Sequence, residues 1–340
     1  MNATSRQDDT GWVAAHVFCD DNPGRLAVDV LPGLVAELRE SGLAQEFFFL
    51  RYWDGGKHMR FRFRPGGPGD APAVRDLVEK RCRDYLAAHP APDLLDEAEY
   101  EALAPTLAAS EKATSYLPRQ RNNSVVFMPY HREHGRYGYG AAMAAAEEHF
   151  AESSETALNL LTRGLSVEER FTGGFSALVL AWLCCGDDPG WQTSWATADG
   201  QSARVADEVN GAYASDPDTA YQRQRETLVA LTAQLRALAE RTTATPAPPD
   251  PASGSLIALA NSFVKLRNTL RREADAGRFV PPPRYWDGAT EPEPDTETGV
   301  LPVLDICAHL FCNRIGLSMR HESYIRMLAM RAVNETAPQS

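Results

Sequence analysis

The chain has 340 residues, 44% hydrophobic and 24% charged: ordinary globular composition, with length for a sizeable core in one large domain or two smaller ones. A net charge of −12 argues against a general phosphate-backbone binder, which needs a basic surface. The polar, acidic start MNATSRQDDTGW has no apolar signal segment, and the best apolar run, FSALVLAWLCC, is too short for a bilayer span, so a cytoplasmic protein without membrane or nucleic-acid partners is expected.

WVAAHVFC (12–19) alternates loosely and predicts a strand, and 31–40 carries helical spacing that stops at Ser41-Gly42. FFFLRYWD and KHMRFRFR then form a hairpin signal joined by Asp54-Gly55-Gly56. In its second arm Met59, Phe61 and Phe63 face one way; Lys57 or His58, Arg60, Arg62 and Arg64 face the other. An amphipathic helix follows over 70–88, and SVVFMPY (124–130) predicts another strand. Helices are expected over 139–164, 166–185 and 203–240, the last with a break at GAYASDPD. The 241–254 region is a linker by composition, 255–276 resumes helical spacing, 281–299 is a long polar loop, and 301–333 is helical. Strands first and helices later predict an α+β fold with a mainly antiparallel or mixed sheet, forming a single domain over 1–340 whose surface loops are 241–254 and 281–299.

The six cysteines show no CxxC pair, and no P-loop, nucleophile elbow, HExxH or Rossmann glycine string occurs. No cofactor and no metal are therefore expected, and the cysteines are expected to be buried hydrophobes. Catalysis would rest on side chains drawn from three polar clusters. In the hairpin, Arg51, Arg60 and Arg62 can occupy neighbouring positions of paired strands. Partly buried, three guanidiniums suit a carboxylate or peptide-backbone substrate; otherwise they form the solvated basic face of an edge hairpin. PYHREHGRYGYG (129–140) offers Glu133 as an acid, base or orienting group, with Tyr130, Arg136 and Tyr137 as binders; the plainer reading is a polar loop with a glycine turn and helix cap. In HLFCNRIGLSMRHESYIRML (309–328), His309 and Asn313 share a helix face. A break at Gly316 would let Ser318 cap a new helix and let Ser318 and Tyr324 face one cavity; an unbroken helix would point them apart. The plainer reading makes Ser318 a cap, Tyr324 an amphipathic core residue and His309 a hydrogen-bonded interior histidine.

W12-x-x-x-H16, the FFLRYWD–HMRFRF hairpin, PYHREHGRYGYG leading into AAEEHFAESSETAL, and the closing H-x-x-x-N-R-x-G together resemble the thiopeptide-type biosynthesis domain family, whose fold also forms the elimination domain of lantibiotic dehydratases. The resemblance spans essentially the whole chain. One departure is that His131-Arg132 precede Glu133 and Tyr139 follows the Arg-Tyr-Gly element, where the family commonly has a Pro-Glu pair and a second glycine.

The resemblance implies a cofactor-independent enzyme acting on a ribosomally made precursor peptide, with leader and dehydrated, azole-containing core, and upstream dehydratases as further partners. The activity it most suggests is pyridine synthesis, a formal [4+2] aza-cycloaddition between two dehydroalanines followed by loss of water and leader peptide. It assigns Tyr324 and Ser318 to polarising the amide that must tautomerise, because their ordinary pKa values are poor for outright proton removal. His309 or Glu133 would be the acid for the later losses. Arg51, Arg60, Arg62, Tyr130, Arg136, Tyr137, Asn313 and Arg314 would bind the peptide. Two alternatives stand beside it: a glutamate-elimination enzyme, with His309 as base and Arg51 or Arg60 on the glutamyl carboxylate or the enolate, and a non-catalytic leader-binding scaffold that takes the leader by strand addition.

Overall fold

In the computed structural model, residues 11–110, 115–186, 217–250, 252, 254–282 and 299–337 are described. They fall into two compact units, one ending at Arg132 and the other starting at Glu133.

The first unit is built on an antiparallel sheet. Its strands are β1 (Val13–Phe18), β2 (Ala44–Tyr52), β3 (His58–Pro65) and β4 (Ser124–Phe127), in the order β2-β3-β1-β4. The hairpin register pairs Phe49 with Phe61 and Phe47 with Phe63, so the period-two pattern puts these rings and Met59 on one buried face. Helices α1 (Gly24–Asp29), α2 (Leu31–Glu40) and α3 (Ala71–Ala88) supply the apolar stripe that covers it: Leu26, Leu31, Leu34, Leu38, Val74, Val78 and Leu86. A further helix, α4 (Glu97–Ser110), clamps the hairpin turn. Its Tyr100 hydroxyl accepts from the Gly55 N–H at 2.8 Å and donates to the Leu117 carbonyl at 2.6 Å.

The second unit is helical among its described residues. A single turn, α5 (His134–Tyr137), leads into α6 (Gly140–Thr162), α7 (Val167–Leu183), α8 (Pro217–Ala244), α9 (Ser255–Asp275), α10 (Leu301–Arg314) and α11 (Met319–Glu335). Helix α7 starts at a full capping box, Ser166 with Glu169, and its run from Gly174 to Leu183 is buried without interruption. It is the central helix, packed on α8, α9, α10 and α11. Helices α6 and α9 are tied by a buried chain in which His149 donates through Nδ1 to Ser262 Oγ (2.7 Å), and Ser262 donates to Glu152 (2.6 Å). All six cysteines are buried and free.

The α+β expectation and its antiparallel sheet are met. Helix α8 runs to Ala244, further than the composition of 241–254 suggests. The expected helical stretch 203–216 and most of the 281–299 loop, residues 283–298, lie outside the described residues.

Candidate functional site

The turn between α10 and α11 positions the chemistry of the second unit. Gly316 adopts φ +86°, a left-handed conformation that costs a side-chain-bearing residue strain. Its N–H bonds the Asn313 carbonyl at 3.1 Å while Leu317 N–H bonds Cys312 at 3.0 Å, the paired closure of a Schellman motif. Arg170 of α7 donates to the freed Ile315 carbonyl. Ser318 then caps α11, its hydroxyl accepting from the His321 N–H at 3.3 Å. The break expected at Gly316 is present.

The fold-back brings Glu322 of α11 to His309 of α10, where His309 Nδ1 donates to the carboxylate at 2.7 Å. Arg326, one turn on, donates from Nε to the other Glu322 oxygen at 2.9 Å and from Nη1 to Asp305 at 2.6 Å. Asp305 is fully buried and also accepts from the Trp182 indole N–H of α7 at 2.8 Å. Two carboxyls thus face one guanidinium and one imidazole, and their charges balance when His309 is protonated. Burial alone would lower His309, but the Glu322 charge and hydrogen bond outweigh it and hold the imidazole above its ordinary value. Burial would raise Glu322, and His309 with Arg326 outweighs it, holding the carboxyl well below its ordinary range. The His309 side chain is 32% exposed, and its Nε2 has no hydrogen-bond partner among the described residues. The arrangement presents the Nε2 edge of the imidazole outward from an otherwise buried ion cluster.

Sequence reasoning missed Glu322, Arg326, Asp305 and Trp182. A signal was there: Glu322 and Arg326 are four apart, as are Asp305 and His309, so each pair shares a helix face.

The other expected residues of this unit are placed differently. Tyr324 is half-buried; its hydroxyl accepts from Gln224 of α8 at 3.2 Å, and its ring lies edge-on to Phe171 of α7 at 6.3 Å. It stands two positions after Glu322, about 200° around the helix, so Tyr324 and the partner of His309 lie on opposite faces of α11. Ser318 is exposed and no hydrogen bond joins it to Tyr324. Glu133 is exposed and paired with Arg136 at 2.9 Å. Tyr137 is buried against Phe150 of α6. Asn313 is half-buried, and Arg314 is fully buried with its guanidinium on Ser153 at 2.8 Å, away from any ligand in solution.

The hairpin arginines of the first unit divide between two faces. Arg51 pairs across the ladder with Met59, not with the other arginines, so it sits on the helix-covered face. There a Cβ on Gly24 would overlap its guanidinium, and glycine gives α1 room to pass. The expectation that Arg51 lies beside Arg60 and Arg62 is corrected by this register: a residue directly opposite Met59 must share its side of the pleat. Arg60 and Arg62 share the second face with His16 and His58, whose rings stack at 4.9 Å. Arg60 donates to His58 Nε2 and lies 3.4 Å over the Tyr52 ring; Arg62 donates to His16 Nε2 at 3.2 Å and lies 5.5 Å from the Tyr130 ring centroid. With His58 and Arg62 buried, this is no solvated basic edge. Burial, with Arg62 and His58 nearby, lowers His16 to about 2; burial, with Arg60 and Arg62 nearby, lowers His58 to about 3.

Among the described residues no group of three or more His, Cys, Asp or Glu side chains is set to hold a metal ion, and no helix is long and apolar enough to cross a membrane. A family model described as lantibiotic biosynthesis dehydratase C-term matches residues 12–333. The chain belongs to this family. No curated protein sequence matches it. The similar solved structures include three at 20% identity. The pyridine synthase TbtD from thiomuracin biosynthesis aligns with a TM-score of 0.71 over 96% of this chain and 98% of its own. TsrL aligns with a TM-score of 0.60 over 95% and 94%. The tRNA-dependent lantibiotic dehydratase MibB from Microbispora sp. 107891 aligns at 0.54, over 98% of this chain and 29% of its own. At that identity the likeness shows the family's fold.

Proposed function

We propose that the chain is a thiopeptide pyridine synthase, joining two dehydroalanines of a modified precursor peptide in a formal [4+2] aza-cycloaddition and then expelling water and the leader peptide. The observation that carries this reading is the Glu322-held His309. An imidazole held above its ordinary value by a carboxylate, with Nε2 outward, is the group of this cluster best placed to give up a proton. Aromatisation needs an acid, because water and the leader amide must each leave with a proton. Glutamate elimination starts instead from removal of an α-proton, which needs a free base. The higher TM-score with the pyridine synthase TbtD, 0.71 against 0.54 for the dehydratase MibB, supports the same choice.

In this reading His309 is the proton donor and Glu322 orients it. Tyr324, on the face of α11 away from Glu322, and Ser318 polarise the amide that becomes the azadiene before the peptide reaches His309. Tyr324 keeps a hydroxyl proton free to donate, since its oxygen already accepts from Gln224. Arg60, Arg62, Tyr130 and Arg136 hold the precursor peptide, and no cofactor takes part. Holding two dehydroalanines together is an orientation problem that positioning alone can lower by about 7–11 kcal/mol in favourable cases. Both compact units act as one functional domain, as the family match across 12–333 supports.

Mass spectrometry after incubation with a leader-bearing, dehydroalanine-containing peptide tests the proposal. Release of leader amide with loss of water is the expected outcome. Release of glutamate from a glutamylated peptide would move elimination ahead, and binding without any mass change would favour a scaffold.

A further inference from the structure

The second face of the sheet carries three buried N–H donors with nothing to donate to. Trp12 Nε1, His16 Nδ1 and Arg62 Nε have no hydrogen-bond partner among the described residues, although all three side chains are more than nine-tenths buried. The protonation of His16 follows from its other nitrogen: Nε2 accepts from Arg62, so in the neutral ring Nδ1 bears the proton. His58 beside it is satisfied at both nitrogens, Nδ1 on the Gly56 carbonyl at 2.8 Å and Nε2 on Arg60. Arg62 also differs from its neighbours in charge. Arg60 has Asp54 at 3.9 Å and Arg64 has Glu46 at 3.2 Å, whereas Arg62, 6% exposed, has no carboxylate within 4 Å among the described residues. A buried guanidinium without an anion, flanked by unused donors, is costly unless something fills the place.

The spacing says what would fit. Trp12 and His16 lie two residues either side of Ala14, and Ala14 pairs directly with Arg62. The smallest side chain of β1 therefore stands opposite the unpaired cation. Trp12 and His16 are separated along the strand by about 13 Å, roughly four residues of extended chain. All three groups only donate.

We propose that Trp12, His16 and Arg62 form a recognition site for a short extended peptide carrying an acidic residue, its carboxylate on Arg62 and its flanking backbone carbonyls on the Trp12 and His16 N–H groups. The inference rests on the reading of a peptide as substrate but not on the reaction, and its test involves no turnover. Two end-capped five-residue peptides, identical except for a central Glu or Gln, are titrated into the full chain by calorimetry, with sodium acetate as a third titrant. The Glu peptide should bind at least about tenfold tighter than the Gln peptide, as expected for a hydrogen-bonded charge. Trp12→Phe removes the N–H and keeps an aromatic ring, though a smaller one. His16→Met removes the Nδ1 donor and keeps a weak acceptor, the thioether sulfur, for Arg62. Each should weaken the Glu peptide by about three- to tenfold, with the variant still folded at the titration temperature by circular dichroism. Equal binding of the two peptides overturns the proposal, as does wild-type affinity in both variants, and so does acetate binding as tightly as the Glu peptide, which would make the site one for free carboxylates.

Discussion

At the residue scale, Glu322 controls the protonation of His309. Glu322→Gln removes the charge that raises the imidazole and leaves burial, which lowers it. Histidine NMR titration should show His309 titrating at lower pH in the variant than in the wild type. If His309 acts as an acid, turnover declines as pH rises through its pKa, so the declining limb of the rate profile should move to lower pH in Glu322→Gln. An unmoved limb with a lowered His309 would remove His309 from the acid role. Tyr324→Phe deletes a hydroxyl that accepts one hydrogen bond at the edge of α11. The stability cost should stay within about 1 kcal/mol by chemical denaturation, while turnover drops and peptide binding holds. Wild-type turnover in this variant would take Tyr324 out of the reaction.

Among the elements, the α10–α11 turn sets the geometry. Gly316→Ala puts a side chain at φ +86° and should cost about 1–2 kcal/mol in thermal denaturation, with the contact between Glu322 and His309 loosened and the His309 titration shifted downward. Stability lost without any change at His309 would mean that the turn and the ion cluster are independent. This turn was legible in the sequence, because Gly316 followed by Ser318 is a stop and a start two residues apart. The hairpin was legible for the same kind of reason, alternation on both sides of Asp54-Gly55-Gly56. Helix α4 was not. It carries Pro105 in its middle, and its buried stripe, Tyr100, Ala104 and Ala108, is two-thirds alanine and barely registers as apolar. The site was only partly legible: His309, Ser318 and Tyr324 stand out as residue types, but which of them meet depends on how two helices cross. Arg51 shows the other limit, because one step of strand register decided its face and periodicity within a single strand cannot supply that step.

On the scale of the whole molecule, the buried histidines make the two units respond differently to acid. His16 and His58 in the first unit are held at about 2 and about 3, so the folded unit refuses protons that its unfolded chain accepts near 6.5. Their contribution is complete above that pH and shrinks as pH falls, by about 1.4 kcal/mol per pH unit for each. In the second unit His149 behaves likewise, held at about 3 by burial with Arg314 nearby. His309 opposes it: raised in the fold, it contributes fully below about 6.5 and loses that contribution as pH rises through its folded value. Its partner Glu322, held low, contributes above about 4.3 and loses that only as pH falls through its own folded value. Between pH 7 and 5 the first unit should therefore lose protection in hydrogen exchange ahead of the second. Simultaneous loss, or loss from the second unit first, would contradict this assignment of histidine charges.

Trp182 gives the buried cluster an optical readout. Its indole is fully buried and its N–H is committed to Asp305, which Arg326 links to Glu322 and through it to His309. A chain keeping Trp182 as the sole survivor of its six tryptophans would carry a fluorophore four contacts away from His309. Its emission should be blue-shifted, as befits an indole shielded from water, and should respond when His309 gains or loses its proton. The protonation of His309 could then be followed in real time by light alone, without a label and without waiting for product.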